Sequence, residues 1–106
     1  MVDAKVIKVV REYIQELMLK GILIKKAFIY GSHVHGKPNQ ESDIDLMLIS
    51  PLFDNDTDKY MPSLWLSRIR TDNRIEPVAV GEKRFLEDDT SPLIEIVRRE
   101  GFEVAT

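Results

Sequence analysis

Residues 26–49 read KAFIY-GS-HVHGKPNQES-DIDLMLI, and this stretch decides the fold. The run 26–30 predicts a short β-strand, because apolar and aromatic residues lead directly to a glycine, Gly31. The run 43–49 predicts a second strand, rich in Ile, Leu and Met. Successive side chains on a strand point to opposite faces, so we expect Asp43 and Asp45 to share one face. The apolar residues that alternate with them would then face the core.

Two carboxylates on one strand face repel each other, and in a partly dry site this costs on the order of a kcal/mol or more. A divalent cation removes that repulsion. Hard oxygen ligands suit Mg²⁺ or Mn²⁺, which usually share their coordination with substrate phosphates. The sequence therefore predicts a metal site at Asp43 and Asp45. An exposed acidic strand start, with Asp43 as a turn residue, is the alternative interpretation.

The residues that follow the first strand favour an anionic ligand. Gly31 allows a tight turn and a close approach of backbone to ligand. Ser32 then falls at the expected start of a helical turn over 32–37, where free N–H groups and a hydroxyl can meet a phosphate. A serine that only caps this turn is the alternative.

The rest of the chain alternates helices and strands. Pro77 falls inside one of the strands and predicts an edge position or a bulge there. This order predicts a single domain over 1–106 of the α/β (α+β) class, with a small mixed sheet of three to five strands flanked by helices. The further predicted elements are helices over 4–20, 58–71 and 93–100 and strands over 75–80 and 102–105.

Composition and charge narrow the function classes. The net charge of −3 argues against broad nucleic-acid binding, which needs a basic face. The absence of cysteine excludes disulfides, thiolate catalysis and cysteine zinc sites. The first helix is interrupted by charges and does not read as a signal peptide, and no apolar run approaches the ~20 residues that span a bilayer. We therefore expect a cytoplasmic protein with no membrane association.

These motifs resemble the nucleotidyltransferase superfamily typified by DNA polymerase beta. Its signature is an apolar strand, Gly-Ser or Gly-Gly, a spacer of about ten residues and Asp-apolar-Asp-apolar. Here the signature is Phe28-Ile29-Tyr30, Gly31-Ser32, ten intervening residues and Asp43-Ile44-Asp45-Leu46. The chain is most similar to the minimal nucleotidyltransferase (MNT) branch, because Gly36 and Ser42 also fit that pattern.

The resemblance implies a site of three carboxylates and a nucleotide. The family places a third carboxylate on the next long strand, and Glu76 is the candidate. Asp43, Asp45 and Glu76 would then be both the metal ligands and the catalytic residues, with Mg²⁺ or Mn²⁺ as cofactor. Gly31, Ser32 and Ser42 would bind the nucleoside triphosphate, ATP being the expected substrate.

The sequence departs from the family pattern at three places. Glu76 replaces the commoner aspartate, and Pro77 constrains the strand beside it. His33 and His35 stand where related proteins often have arginine, which reduces the expected positive charge near the phosphates. The two histidines, and Lys37 beside them, are candidate phosphate contacts.

The resemblance also implies a partner and an acceptor. The minimal branch resembles the antitoxin half of two-gene systems, whose other half is an all-helical HEPN-type ribonuclease toxin. The implied reaction transfers AMP from ATP to a tyrosine of that partner and releases pyrophosphate, and a homo- or hetero-oligomer is expected. The alternative is a non-catalytic antitoxin that neutralises its partner by contact alone. Apolar residues in 61–69 would suit such an interface.

Two weaker signals are interpreted as structural. Residues 54–58 begin like a calcium loop, but Lys59 stands where glycine belongs and Trp65 where the bidentate glutamate belongs. We therefore predict a solvated loop with a helix cap there. Trp65 itself is expected to lie in the core.

Overall fold

A computed structural model describes residues 2–106 and contains four strands and six helices. The strands are β1 (Lys26–Tyr30), β2 (Ile44–Ser50), β3 (Ile75–Gly81) and β4 (Phe102–Val104). The helices are α1 (Ala4–Leu19), α2 (Ser32–His35), α3 (Leu52–Asn55), α4 (Met61–Thr71), α5 (Glu82–Glu87) and α6 (Pro92–Glu100).

The four strands form one mixed sheet in the order β3-β2-β1-β4. Strand β1 runs antiparallel to both β2 and β4, whereas β2 and β3 are parallel. Strand β3 lies at an edge, which confirms the prediction made from Pro77 and is physically expected because proline cannot donate a ladder hydrogen bond. The predicted α/β class with a small mixed sheet is therefore confirmed.

Strand β2 is buried on both faces, and its alternation separates two apolar clusters. Ile44, Leu46 and Leu48 face the larger cluster, together with residues of α1 and α4. Met47 and Ile49 face the smaller cluster, where α5 and α6 cover the opposite side of the sheet. On this second face, only the N-terminal end of β2, at Asp45, is not covered by the apolar cluster. The predicted separation of acidic and apolar side chains is confirmed for Asp45, whereas Asp43 lies just outside β2.

The helix ends follow local sequence rules. Asp3 caps α1 by accepting a hydrogen bond from the Lys5 backbone N–H at 2.7 Å. Ser91 caps α6 by accepting from the Ile94 backbone N–H at 3.2 Å, Pro92 occupies the first turn, and Gly101 follows the last residue. These caps satisfy backbone groups that a helix leaves unpaired.

Three sequence predictions are wrong, and two short helices were missed. Helix α4 begins at Met61 rather than at residue 58, and the short helices α3 and α5 were not predicted. Residues 54–58 are not simply a solvated loop, since Asp54 belongs to α3 and its carboxylate accepts from the backbone N–H groups of Lys83 and Arg84 at 3.0 and 3.3 Å. Trp65 is 38% exposed and therefore lies outside the core. Among the described residues, no helix is long and apolar enough to cross a membrane.

Candidate active site

The sheet brings Asp45 and Glu76 side by side. Strands β2 and β3 are parallel, and Asp45 and Glu76 are register partners, so their side chains leave the same face of neighbouring strands. On the other side of β2, Tyr30 is the register partner of Asp45. The start of β2, the start of β3 and the end of β1 thus meet at one edge of the sheet. Asp43 lies two residues before Asp45, is exposed, and directly precedes β2.

Gly31 is required by both its backbone conformation and its neighbour. Its φ of 79° and ψ of −143° lie in a region that L-residues rarely adopt. A β-carbon at this position would lie 2.4 Å from Asp45 Oδ2, well inside contact distance. The absence of a side chain therefore lets the chain turn from β1 into α2 directly against the Asp45 carboxylate.

Helix α2 begins at Ser32, the residue after this turn. The Gly31 carbonyl accepts from the backbone N–H groups of Val34 and His35 at 3.0 and 3.1 Å, which closes the single helical turn. A β-carbon at Gly36 would lie 3.0 Å from the Ser32 Cα, so the second glycine lets the chain leave α2 close to Ser32. The Gly31-Ser32 pair thus stands beside the acidic edge, where the resemblance implies the triphosphate would bind.

His33 has a structural contact that sequence reasoning missed. It is only 6% exposed, and its Nε2 lies 3.2 Å from the Ser42 carbonyl oxygen. Since a carbonyl can only accept, Nε2 carries the proton in this contact. His33 therefore fixes α2 to the segment that leads into Asp43. His35 lies further out, with its Nε2 3.8 Å from Glu100 Oε2.

The Ser42 hydroxyl is engaged in its own turn. It accepts from the Asn39 backbone N–H at 3.0 Å and donates to Asn39 Oδ1 at 3.4 Å. These contacts shape the loop that delivers Asp43 to the edge of the sheet. The assignment of Ser42 to nucleotide binding stays a prediction.

Electrostatic repulsion is concentrated on Asp45. The pKa of Asp45 is raised above its ordinary value of 3.8, first by desolvation and then by the neighbouring carboxylates of Asp43 and Glu76, while His33 opposes the rise. Burial and the Asp45 charge also raise the pKa of Tyr30 to about 12. A raised pKa means that the ionised Asp45 carboxylate is unfavourable in the folded protein. A cation bound beside this carboxylate would therefore stabilise the fold.

Glu76 has a cationic neighbour of its own. Its Oε1 lies 3.7 Å from Arg68 Nη2, and Arg68 belongs to α4 rather than to the strands. The Arg68 guanidinium carbon stands 4.7 Å from the centre of the Trp65 ring, and Nη2 donates to the Asn73 carbonyl. The third candidate carboxylate therefore has a positively charged neighbour within the chain.

The chemistry of the donor set fits a hard divalent cation. Asp43, Asp45 and Glu76 offer only carboxylate oxygens, which are the ligands that Mg²⁺ and Mn²⁺ prefer. Within residues 2–106, however, no group of three or more His, Cys, Asp or Glu side chains is already arranged to hold a metal ion. The carboxylates share an edge and repel one another, but they are not gathered into a finished metal site.

A comparison with protein-family models identifies the domain. The model described as "Polymerase beta, Nucleotidyltransferase" matches residues 12–83. The chain belongs to this family. The match runs from α1 to the start of α5 and contains Gly31, Ser32 and all three carboxylates. No curated protein matches the chain. The matched region includes the strand–Gly-Ser–Asp-x-Asp pattern, and the family typically uses divalent metals.

Proposed function

We propose that this nucleotidyltransferase domain is a metal-dependent enzyme that transfers AMP from ATP to an acceptor hydroxyl. One observation carries the proposal: Asp45 is flanked by two further carboxylates, and the side-chain-free backbone of Gly31 lies directly against it. Carboxylate repulsion of this kind stabilises nothing in the folded chain itself. It is accounted for by a ligand that brings positive charge.

In the proposed mechanism Asp43 and Asp45 would hold Mg²⁺ or Mn²⁺, and Glu76 would complete the site. The bound metal would supply Lewis acidity at the α-phosphoryl group and neutralise the leaving pyrophosphate. Ser32 and the backbone N–H groups after Gly31 orient the triphosphate. The acceptor oxygen forms a bond to the α-phosphorus, the bond from the α-phosphorus to the bridging oxygen breaks, and Glu76 takes the proton from the acceptor.

The proposed acceptor is a tyrosine on a helical partner protein of the HEPN type. The resemblance to minimal nucleotidyltransferases supports this choice. A surface on α4 is consistent with a protein partner, since Trp65, Leu66 and Ile69 are 38%, 48% and 67% exposed. Apolar side chains that lie together on one helix and face water are typical of an interaction surface.

The direct test follows AMP onto the partner. The wild-type protein is incubated with labelled ATP, Mg²⁺ or Mn²⁺ and the protein that co-purifies with it, and the partner is then examined by mass spectrometry for added AMP. We expect AMP on a tyrosine with wild type and none with the double variant Asp43→Ala/Asp45→Ala. The matched control is Asp58→Ala/Asp89→Ala, which removes two exposed aspartates away from the site. Equal labelling by wild type and the Asp43/Asp45 variant would exclude the proposed chemistry.

The second candidate function is neutralisation of the partner by contact alone. The exposed apolar residues of α4 favour it, because a binding module needs this surface and not the carboxylates. Leu66→Asp/Ile69→Asp should then abolish neutralisation, whereas Asp43→Ala/Asp45→Ala should preserve it. The catalytic proposal expects the carboxylate variant to lose neutralisation as well.

A further inference from the structure

Arg68 is held at the site by contacts that come from three directions. Its side chain is 20% exposed, and Nη2 stands 3.7 Å from Glu76 Oε1. The same nitrogen donates to the Asn73 carbonyl, and the guanidinium lies over the Trp65 ring. Nε is buried and has no hydrogen-bond partner within the described part of the chain. The guanidinium is therefore positioned by stacking and by its Nη2 side.

The contact with Glu76 is an ion pair rather than a fixed hydrogen bond. At 3.7 Å the two charged atoms attract each other, but the distance exceeds the ordinary hydrogen-bond range. Arginine stays protonated at all relevant pH values, so this positive charge is permanent. Asp45, the register partner of Glu76, repels the same glutamate. These charges therefore draw Glu76 towards Arg68 and away from Asp45.

We propose that Arg68 is an internal counter-cation for Glu76 and competes with the divalent metal for this carboxylate. The inference rests on the proposed function, in which Glu76 completes the metal site. Arg68 is then a positioning residue that lowers metal affinity by holding the third carboxylate. It also gives a physical reason why the three carboxylates are not gathered into a finished site. Metal binding would require Glu76 to leave Arg68.

The only tryptophan of the chain is a built-in reporter of this exchange. Trp65 stacks against the Arg68 guanidinium, so its indole fluorescence depends on where that cation stands. When Glu76 leaves Arg68 for a metal, the electrostatic surroundings of the ring change. Mg²⁺ addition should therefore change Trp65 emission in wild type and leave it unchanged in Glu76→Gln, which has no charge to exchange.

The test compares Mn²⁺ affinity, measured by calorimetry, between variants of two arginines on the same helix. Arg68→Gln should bind Mn²⁺ about three- to fivefold more tightly than wild type, the size expected for loss of one partly exposed ion pair. Arg68→Lys keeps the charge and should retain an affinity close to wild type. The matched control is Arg70→Gln, because Arg70 pairs with Glu16 at 3.6 Å and should not affect the metal.

Glu76 supplies the decisive control. In a Glu76→Gln background, Arg68→Gln should no longer change Mn²⁺ affinity, since the carboxylate for which the two cations compete is gone. Arg68→Met preserves the apolar contact with Trp65 and is measured beside the glutamine variant, so that a loss of packing is recognised. Unchanged or weaker Mn²⁺ binding in both neutral variants overturns the inference.

The two proposals fail in different ways. Tighter Mn²⁺ binding by Arg68→Gln without any AMP transfer by wild type would leave the counter-cation standing and remove the proposed enzyme activity. AMP transfer that requires Asp43 and Asp45, with no effect of Arg68→Gln on Mn²⁺ affinity, would support the proposed enzyme activity and overturn the counter-cation inference. If neither wild type nor Arg68→Gln binds Mn²⁺, the counter-cation inference is overturned.

Discussion

Gly31 and Asp45 approach each other so closely that a β-carbon on the glycine would lie 2.4 Å from Asp45 Oδ2. This contact joins the end of β1 to the start of β2 across the antiparallel pair, where Tyr30 and Asp45 are register partners. The glycine that follows β1 therefore lies in steric contact with the second aspartate of the Asp-x-Asp pair, and a side chain at position 31 would require Asp45 to move.

Gly31→Ala should disturb the protein through both backbone and contact. The positive φ and the overlap with Asp45 together should lower the free energy of unfolding by about 2–4 kcal/mol. Because Asp45 must move to accommodate the methyl group, metal binding and nucleotidyl transfer should fall as well. Urea unfolding measures the stability loss and Mn²⁺ calorimetry measures the displacement of the carboxylate.

Gly21→Ala is the matched control for this substitution. Gly21 also has a positive φ, 85°, but a β-carbon there would meet nothing within 4 Å. It should therefore show only the backbone cost, about 1–2 kcal/mol, and leave metal binding intact. If the two alanine variants lose equal stability and both keep Mn²⁺ affinity, the Gly31–Asp45 contact has no functional importance.

Asp45→Asn should make the metal-free protein more stable at pH 7. The raised pKa means that folded Asp45 binds its proton more tightly than the unfolded chain does, so its ionisation disfavours folding as the pH rises from 3.8 through the raised pKa. Removing the charge removes that penalty. Thermal unfolding in EDTA should give a higher midpoint for the variant at pH 7, and this advantage should vanish below pH 3.8.

Mg²⁺ should reverse this order of stability. A metal that binds the folded state alone stabilises it by mass action, and only wild type retains the full ligand set. The midpoint of wild type should rise with Mg²⁺, whereas that of Asp45→Asn should change little. A metal-free Asp45→Asn protein less stable than wild type at pH 7 would show that Asp45 is not under repulsion.

Local rules were sufficient wherever neighbouring residues determine the structure. The two-residue period of strands separates Asp45 from Leu46, and Ser91 and Gly101 mark the ends of α6 through capping contacts within four residues. The edge position of β3 followed from Pro77 because proline lacks one hydrogen-bond donor. The Gly-Ser and Asp-x-Asp spacing was specific enough to indicate the family that the comparison then showed.

The remaining features depend on contacts between distant parts of the chain. Asp54 caps α5 by accepting from the backbone N–H of Lys83, which lies 29 residues further along the chain. The local sequence around Asp54 therefore could not predict this contact. Helical periodicity could not show which apolar side chains of α4 would be covered, and Trp65 lies beside Arg68 rather than in the core. The Glu76–Arg68 pair arises because the chain reverses between α4 and β3, which no local pattern specifies.

Tyr13→Phe should test the contact between α1 and α4. The buried Tyr13 hydroxyl donates to the Leu64 carbonyl at 2.8 Å, and burial raises the pKa of this phenol. Its removal deletes a buried hydrogen bond and should lower the free energy of unfolding by about 1–2 kcal/mol in urea. Tyr60→Phe is the control, because its hydroxyl has no hydrogen bond among the described residues and should cost less than about 0.5 kcal/mol. Equal losses of stability in the two variants would show that the hydrogen bond from Tyr13 to Leu64 does not stabilise the fold.

Asp88→Asn should reduce the amount by which the free energy of unfolding falls in acid. The backbone N–H and hydroxyl of Thr90 both donate to Asp88 Oδ1 at 2.8 Å, and Arg84 donates to Oδ2, so the pKa of Asp88 is held at about 2. A depressed pKa contributes stability above the unfolded value of 3.8, and this contribution is lost as the pH falls from 3.8 through 2. Urea unfolding at pH 6, 4 and 2 should therefore show a smaller acid loss for Asp88→Asn than for wild type or for the exposed control Asp89→Asn. Parallel acid curves for all three proteins would mean that the Thr90 contacts do not hold the Asp88 charge.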